Sequence, residues 1–210
     1  VFHVYWYGTI TRKQIASINS YLKTQDLKKN ELWIWLDYSC YDTQIHLIPN
    51  HQNIKIKKYE PLKESVNTLF ENKTYLVNEK FIKFRSDLAR LIILYKYGGI
   101  YIDLDIFLIK DFTPLFGFEF CYSWSYKKAG NNAIVRLFKG SQNCISIMNK
   151  YCNFLKNYDE KFQFIVRFTH KEIYNDDLNI VCLPSIMFDP VWVLFDTKSS
   201  SKYSNLTNFD

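Results

Sequence analysis

The sequence predicts an α/β domain with a largely parallel central sheet, and three observations lead to that prediction. Apolar runs rich in β-branched and aromatic residues occupy 1–7, 31–37 and 53–59, each with the length of a strand. Apolar residues three or four positions apart fill 81–97, which is the spacing of a helix packed along one side. Strands that alternate with helices in this way are typical of a mostly parallel sheet flanked by helices.

The elements of the front half carry local signals of their own. Thr11 is a suitable N-cap for a helix after the first strand, because its hydroxyl can accept a hydrogen bond from a backbone N–H of the first turn. The run at 53–59 alternates apolar and charged residues, which predicts a strand with one wet face, whereas 61–80 is irregular. The apolar residues of the first helix recur at helical spacing, at Ile15, Ile18 and Leu22.

A helix, a glycine stop and a strand follow one another between residues 81 and 109. Gly98 and Gly99 end the helix, since either can adopt the left-handed conformation of a C-cap. The run at 100–109 predicts a strand, because its residues alternate between two faces. One face carries Ile100, Ile102, Leu104 and Ile106, and the other carries Tyr101, Asp103 and Asp105.

The pattern weakens after Pro114. An aromatic stretch covers 116–126, small residues predict a turn at 129–132, and helical spacing returns at 142–156. The remainder, to Asp210, is aromatic and irregular, as are many loops and lids that close a site on an α/β sheet. Because the chain has 210 residues and no internal repeat or linker, we expect a single domain.

Composition and charge narrow the class of protein. The formal net charge is +6, but Lys and Arg are spread along the chain rather than gathered in a stripe, so we expect no nucleic-acid partner. This excess suits an anionic ligand such as a nucleotide-sugar, or a phospholipid surface with which the protein associates peripherally. The five cysteines show no metal-binding spacing and favour a reducing compartment.

Membrane and targeting signals are absent from the sequence as given. No stretch reaches the roughly 18 apolar residues of a membrane span, and no signal peptide is visible. The chain starts at Val1 rather than at Met, so removal of an N-terminal anchor stays an alternative. We expect a location in the cytoplasm or on the cytoplasmic face of a membrane, or in the Golgi lumen if such an anchor was removed.

Two carboxylates within an apolar run are the strongest chemical signal. Asp103 and Asp105 are two positions apart, so on a strand they point the same way. Two ionised carboxylates beside an apolar sheet are costly unless a cation neutralises them, and oxygen ligands suit a hard ion such as Mn²⁺ or Mg²⁺. The carboxyl ends of such strands are where open α/β sheets bind ligands. The alternative is a strand surface that faces water.

The residues around this pair form a longer motif. S-D-L-A-R occupies 86–90 on the preceding helix, and Y-G-G-I-Y-I-D-L-D occupies 97–105. Together they resemble the signature of DXD-containing glycosyltransferases with a GT-A fold. That group includes mannosyltransferases, capsular polysaccharide transferases, α-1,4-galactosyltransferases and the large clostridial glucosylating toxins. The opening F-H-V-Y-W-Y-G at 2–8 and the run at 31–37 resemble the first two strands of the group.

The back half resembles the same group at two places. Asn131-Asn132-Ala133 resembles an N-A segment that faces the sugar or the acceptor. The stretch from Leu183 to Trp192 is similar to L-P-x-x-x-F-x-P-x-x-W of the galactosyltransferase-like branch, where the tryptophan closes over the donor; a core tryptophan is the alternative. The resemblance implies that 1–110 bind the nucleotide-sugar and that 111–210 form the acceptor side.

The resemblance also implies roles for individual residues. Trp6 would pack on the uracil or guanine base, Asp87 and Arg90 would hold the donor sugar, and Asp105 would be the more direct metal ligand. The implied donor-binding residues are Tyr5, Trp6, Tyr7, Gly8, Asp37, Asp87, Arg90, Gly99, Tyr101 and Asp103. The implied catalytic residues are Asp87, Arg90, Asp103 and Asp105, with Asp103 and Asp105 as metal ligands. The implied acceptor or lid residues are Asn131, Asn132 and Trp192.

The activity that the resemblance implies is transfer of a hexose from a nucleotide-sugar, foremost a UDP-sugar, to a hydroxyl group. The acceptor would be a glycan or glycolipid, the anomeric configuration would be retained, and Mn²⁺ or Mg²⁺ would be the cofactor. Two alternatives stay open. One is an effector-type transferase that glycosylates a protein, and the other is a catalytically inactive homologue that binds sugar.

Overall fold

The computed structural model of the chain describes residues 1–78, 81, 84–123, 130–156 and 178–188. Its strands are β1 (Phe2–Trp6), β2 (Leu32–Asp37), β3 (Ile54–Tyr59), β4 (Gly99–Ile102), β5 (Phe120–Ser123), β6 (Gly130–Leu137) and β7 (Val181–Leu183). Its helices are α1 (Arg12–Thr24), α2 (Tyr41–Gln44), α3 (Pro61–Glu64), α4 (Arg85–Tyr97) and α5 (Gln142–Lys156). Among these residues no helix has both the length and the apolar character needed to span a bilayer.

The strands form one sheet in the order β3-β2-β1-β4-β6-β5-β7. Neighbouring strands from β3 to β4 are parallel, β5 and β7 are parallel, and β6 runs antiparallel to both of its neighbours. Every strand except β6 therefore runs in one direction, so their carboxyl ends lie along one side of the sheet, which we call the carboxyl edge. The prediction of a mostly parallel sheet flanked by helices is confirmed.

The two faces of the sheet bury two separate apolar clusters. Along β1, Phe2 and Val4 pack with Ile18 of α1, while Tyr5 packs on the other face with α4 and α5. This alternation follows from the two-residue period of a strand. Each fully buried large apolar side chain contributes roughly 1.5 to 3 kcal/mol to folding. The helices thereby hold the carboxyl edge rigidly.

The start of α1 agrees with the sequence. Thr11 is the N-cap, and its hydroxyl accepts a hydrogen bond from the N–H of Lys13 at 3.3 Å. Gln14 completes a capping box, since its side-chain oxygen accepts from the N–H of Thr11 at 3.0 Å. These two bonds satisfy backbone donors that have no partner within the helix. The prediction of a helix beginning after Thr11 is confirmed.

The predicted bounds of α4 and β4 need correction. The helix begins at Arg85 rather than at residue 81, and residues 82 and 83 lie outside the described part of the chain. It ends at Gly98, whose φ of +65° and whose N–H bond to the carbonyl of Leu94, at 2.8 Å, make it the C-cap. The strand that follows ends at Ile102 and does not continue to 109.

A turn replaces the second half of that predicted strand. The N–H of Ile106 donates to the carbonyl of Asp103 at 3.2 Å, which folds Leu104 and Asp105 into the turn. Leu104 nevertheless packs in the same cluster as Ile100 and Ile102, because the turn returns its side chain to the α1 face. The predicted face of these apolar residues is correct, although the length of the strand is wrong.

The back half contains more regular structure than the sequence indicates. The turn predicted at 129–132 is wrong for its last residues, since Asn131 and Asn132 lie in β6 and Asn131 pairs with Tyr122 of β5. The helix at 142–156 is confirmed. The short strand β7 lies within the segment that the sequence leaves irregular. The division into a donor half and an acceptor half stays a prediction.

Candidate functional site

A cavity of about 310 Å³ opens at the carboxyl edge of the sheet. It lies where β1 and β4 end and where α4 begins, so three separated segments of the sequence meet there. Its lining residues are Tyr5, Trp6, Tyr7, Arg85, Ser86, Tyr101, Asp103, Leu104 and Asp105. The structure therefore places most of the predicted base-binding and metal-binding residues around one space.

The D-x-D segment is fixed from both sides of the sheet. The N–H of Asp103 donates to the carbonyl of Ala133 at 2.8 Å, which extends the ladder between β4 and β6 by one bond. Leu104, between the two aspartates, is buried among the apolar side chains of the α1 face. The Asp103 side chain is 34% exposed, and Asp105 is exposed. Both carboxylates are thus held on rigid backbone while they face the cavity.

Arg90 ties Asp103 to a second carboxylate on α4. Its Nη2 donates to Asp103 Oδ1 at 2.7 Å, and its Nη1 donates to Asp87 Oδ1 at 3.0 Å. The amide of Asn132 on β6 donates to the same Asp87 oxygen at 2.8 Å. The sequence predicted a site role for each of these four residues, and the structure joins them in one hydrogen-bonded network. We call Asp87, Asp103 and Asp105, with Arg90, the acidic cluster.

The acidic cluster has more negative than positive charge. It contains three carboxylates and one guanidinium, so two negative charges remain when all of them are ionised. Although part of its side chain faces the cavity, desolvation by the surrounding protein raises the pKa of Asp103 to about 6; the guanidinium of Arg90 opposes this shift, and the carboxylates of Asp105 and Asp87 add to it. A divalent cation would remove the repulsion that these groups impose on one another.

The donor set of this cluster fits a magnesium-like ion. Within the described ranges, no group of three or more His, Cys, Asp and Glu side chains is arranged to hold a metal by itself. Mg²⁺ is usually bound through one or two carboxylates, with phosphate oxygens of the substrate and water as the other ligands. Asp103 and Asp105 match that arrangement, because both line a cavity that has room for a ligand.

A second buried ion pair lies behind the cavity. Asp37, at the end of β2, is fully buried and does not line the cavity. Its Oδ2 accepts a hydrogen bond from the hydroxyl of Tyr5 at 2.6 Å, and its Oδ1 accepts from the N–H of Ser39 at 3.1 Å. Arg85 Nη1 lies 3.7 Å from Asp37 Oδ1. The structure thus places the predicted donor-binding Asp37 against two lining residues rather than against the donor space.

The end of β1 supplies aromatic rings. The indole Nε1–H of Trp6 donates to the carbonyl of Thr9 at 3.2 Å, which fixes the ring plane beside the turn. Tyr7 is 46% exposed, and the guanidinium carbon of Arg85 lies over its ring, 5.0 Å from the ring centroid. Gly8 follows with a φ of +114°, which side chains other than that of glycine rarely tolerate. Gly8 thus shapes the turn without lining the cavity.

Two other predicted residues, Gly99 and Asn131, do not line the cavity. Gly99 lies at the amino end of β4, opposite the cavity, where a Cβ atom would come 2.5 Å from the carbonyl oxygen of Val1. The backbones can pack this closely because Gly99 has no side chain. Its position does not support the predicted contact with the donor. The Asn131 side chain accepts from the N–H of Ala133 at 2.9 Å. Trp192 lies outside the described residues.

The sequence did not single out Arg85, Ser86 or Leu104 as lining residues. Arg85 and Ser86 immediately precede Asp87 in the first turn of α4. The signal that would have found them is the position of this turn, since a helix that follows strands of a parallel sheet often begins at the carboxyl edge.

Comparisons with known proteins identify the family. A family model described as the glycosyltransferase sugar-binding region containing a DXD motif matches residues 13–121. Inositol phosphoceramide mannosyltransferase 3 of Schizosaccharomyces pombe is 28% identical over 142 residues, which are 64% of this chain and 37% of that protein. The solved structure of the PaToxG glycosyltransferase aligns with a TM-score of 0.59 and 17% identity, covering 82% of this chain and 66% of that one.

The chain thus spans less than two thirds of either relative. The likeness to the PaToxG structure concerns the fold, and it agrees with the α/β architecture described above. The family match shows more than the fold, because it rests on the sequence over half of the chain and includes α4 and the D-x-D segment with Asp103 and Asp105. On these grounds the chain belongs to the family of glycosyltransferases whose sugar-binding region contains a DXD motif.

Proposed function

We propose that the protein transfers a hexose from a nucleotide-sugar to an acceptor hydroxyl and that the reaction needs Mn²⁺ or Mg²⁺. One observation carries this proposal: a single cavity at the carboxyl edge is lined by the aromatic end of β1 and by Asp103 and Asp105. An aromatic ring suits a nucleobase, and a pair of carboxylates suits a cation that binds a diphosphate. Membership of the family supports sugar transfer as the reaction.

The proposed cation would be held by Asp103 and Asp105. When bound, it would neutralise negative charge on the diphosphate as that group leaves the sugar. The protein contributes rigidity. Arg90 fixes the orientation of Asp103, while burial of Leu104 fixes the turn between the two aspartates. Asp87 holds Arg90 from its other side, so the three side chains act as one support.

We further propose that the configuration at the anomeric carbon is retained. Among the described residues, Asp103 and Asp105 are the carboxylates that line the cavity, and both are assigned to the cation. This assignment favours a front-face reaction without a covalent sugar intermediate. In that reaction the bond from the anomeric carbon to the phosphate oxygen breaks, the acceptor oxygen bonds on the same face, and a phosphate oxygen takes the acceptor proton.

The choice of sugar and acceptor forms a finer part of the proposal. The name of the fission-yeast relative supports mannose as the hexose and a lipid-linked acceptor, with peripheral association to a membrane. Mannose would place guanine on the aromatic end of β1, whereas a UDP-hexose would place uracil there. A glycan is the other acceptor class, and a protein acceptor stays the alternative.

A donor screen tests the proposal. UDP-glucose, UDP-galactose and GDP-mannose are each incubated with the chain in the presence of Mn²⁺ or of a chelator, and release of the nucleoside diphosphate and the melting temperature are measured. We expect one donor to be hydrolysed, and to raise the melting temperature, when Mn²⁺ is present but not when the chelator is present. Asp105→Asn should lower hydrolysis at least about 100-fold. Asp42→Asn is the matched control, because that carboxylate is 79% exposed and pairs with Lys58.

Each outcome has a distinct meaning. Unchanged hydrolysis in the presence of the chelator, or in Asp105→Asn, would contradict the proposed requirement for a cation held by the two aspartates. Binding of a donor without hydrolysis or transfer would favour the inactive sugar-binding homologue. Sugar added to a protein, detected by intact mass, would favour the effector-type alternative. Failure of every donor to bind would contradict the proposal that the substrate is a nucleotide-sugar.

A further inference from the structure

Arg85 is a buried cation in a cavity whose other charged residues, among those that the structure describes, are carboxylates. Its side chain is 6% exposed, yet the residue lines the cavity together with Asp103 and Asp105. Among the described lining residues it is the one that carries a positive charge. A fully charged guanidinium is rarely buried without a function or a partner that compensates for lost hydration.

Two neighbours of Arg85 lie within the part of the chain that the structure describes. Asp37 supplies the compensating charge at 3.7 Å, a distance longer than a hydrogen bond, and the ring of Tyr7 lies 5.0 Å from the guanidinium carbon. The oxygens of Asp37 accept hydrogen bonds from the hydroxyls of Tyr5 and Ser39, each at 2.6 Å. Asp37 therefore holds the arginine by charge and does not form the bidentate fork that arginine makes with carboxylates at closer range.

The combination of charges in the cavity limits the ligand. A site for a metal ion alone would not include an arginine, because the two cations would repel each other. A ligand that carries anionic oxygens beside a cation suits both kinds of charge, since the carboxylates hold the cation and the guanidinium holds the oxygens. Phosphate is the best match, because its oxygens fit the planar donor fork of arginine.

We propose that Arg85 contacts a phosphoryl oxygen of the nucleoside diphosphate in the donor. This inference rests on the proposed function and adds a residue on α4 to the two carboxylates of the D-x-D segment. Arg85 would bind the donor in the ground state and would also contact the diphosphate as it leaves. Its role differs from that of Arg90, whose guanidinium is engaged by Asp87 and Asp103.

Binding of nucleotides with and without phosphates tests the inference. Calorimetry with Mn²⁺ compares UDP with uridine and GDP with guanosine, for the unchanged protein, Arg85→Gln and Arg85→Lys. We expect Arg85→Gln to weaken the preferred nucleoside diphosphate about 10-fold to 100-fold, the range for a hydrogen bond to a charged group. The nucleoside should bind equally to all three proteins. Arg85→Lys keeps the charge without the fork and should lie between the other two.

Arg136→Gln is the matched control. Arg136 is also packed on aromatic rings, those of Phe116 and Phe138, but it pairs in register with Ile100 at the amino end of β4, away from the cavity. Equal losses for nucleoside and diphosphate in both Arg85 variants would overturn the inference, and so would unchanged diphosphate affinity in a folded Arg85→Gln. If the unchanged protein binds neither UDP nor GDP, it is the proposed function that fails.

Discussion

At the amino end of β4, backbone packs directly against backbone, whereas at its carboxyl end charged side chains face a cavity. Gly99 leaves no room for a Cβ atom beside Val1, and its neighbour Gly98 ends α4. Four residues later, Asp103 faces Arg90 across 2.7 Å. One continuous stretch of sequence thus contains a structural half and a chemical half, separated by the length of a four-residue strand.

Burial disfavours the ionised form at both ends of the strand, so it shifts the pKa of a histidine and that of an aspartate in opposite directions. At the amino end, His3 is neutral, because burial lowers its pKa to about 3 despite the carbonyl of Gly98, which lies 2.9 Å from its Nε2. Its Nδ1 accepts a hydrogen bond from the indole N–H of Trp35 at 3.2 Å, so the pocket is satisfied without charge. At the carboxyl end, burial of Asp103 opposes its ionised form. His3 is thus satisfied by neutral groups, whereas Asp103 shares its surroundings with Arg90 and with two other carboxylates.

The largest expected effect comes from the carboxyl end. Asp103→Asn should lower donor hydrolysis roughly 100-fold to 1000-fold, because a group that supports charge stabilisation of the leaving diphosphate is lost. The melting temperature should stay the same or rise. Asn removes a carboxylate whose ionised form is disfavoured by desolvation and by the neighbouring carboxylates, and Arg90 keeps its bond to Asp87. Steady-state kinetics and thermal unfolding of the same preparation measure both quantities. A parallel loss of stability and activity would contradict the view that the carboxyl end of β4 serves the reaction rather than the stability of the fold.

The opposite pattern is expected at the amino end. Gly99→Ala should lower the free energy of unfolding by about 1 to 3 kcal/mol, the range for a strained backbone conformation. The residue has a φ of +105°, and the new Cβ atom would approach the Val1 carbonyl. Urea denaturation measures the change, and hydrolysis per folded molecule should be unaltered.

Gly117→Ala is the control for that change, since nothing lies within 4 Å of its Cβ position. It should leave both stability and hydrolysis close to those of the unchanged protein. A fall in nucleotide affinity in Gly99→Ala, with stability preserved, would instead restore the donor-binding role that the sequence resemblance implied for this glycine.

Local patterns predicted much of the fold, and the limits of the prediction are physical. Alternation over 100–109 gave the correct face for Ile100 and Ile102, because side chains in a strand have a period of two. The same alternation could not show that a hydrogen bond from Ile106 to Asp103 closes a turn. Asn131 and Asn132 have the composition of a turn, yet pairing with β5 draws Asn131 into a strand.

The candidate site divides in the same way. The acidic cluster was predictable because its members occupy one short motif, in which Asp87 and Arg90 are three residues apart on a helix. The pair of Asp37 and Arg85 was not, since β2 and α4 are far apart in the chain and their contact depends on the order of strands in the sheet. Spacing within a motif cannot report such a long-range contact.

Near neutral pH the smallest expected effect is a dependence of stability on pH that arises at the amino end. The unfolded pKa of histidine is about 6.5, and burial, with Lys57 adding to it, lowers the folded pKa of His3 to about 3. Between these values the unfolded chain binds more protons than the folded one, so His3 makes the free energy of unfolding fall as pH decreases from 6.5. The slope from this residue should reach about 1.4 kcal/mol per pH unit.

Urea denaturation at pH 7, 6 and 5 measures this slope. His3→Gln should remove it while leaving the pH dependence that arises from other groups. Equal slopes in the two proteins would show that His3 is not held neutral by the packing at this end, and that the amino end, too, contains a charged group.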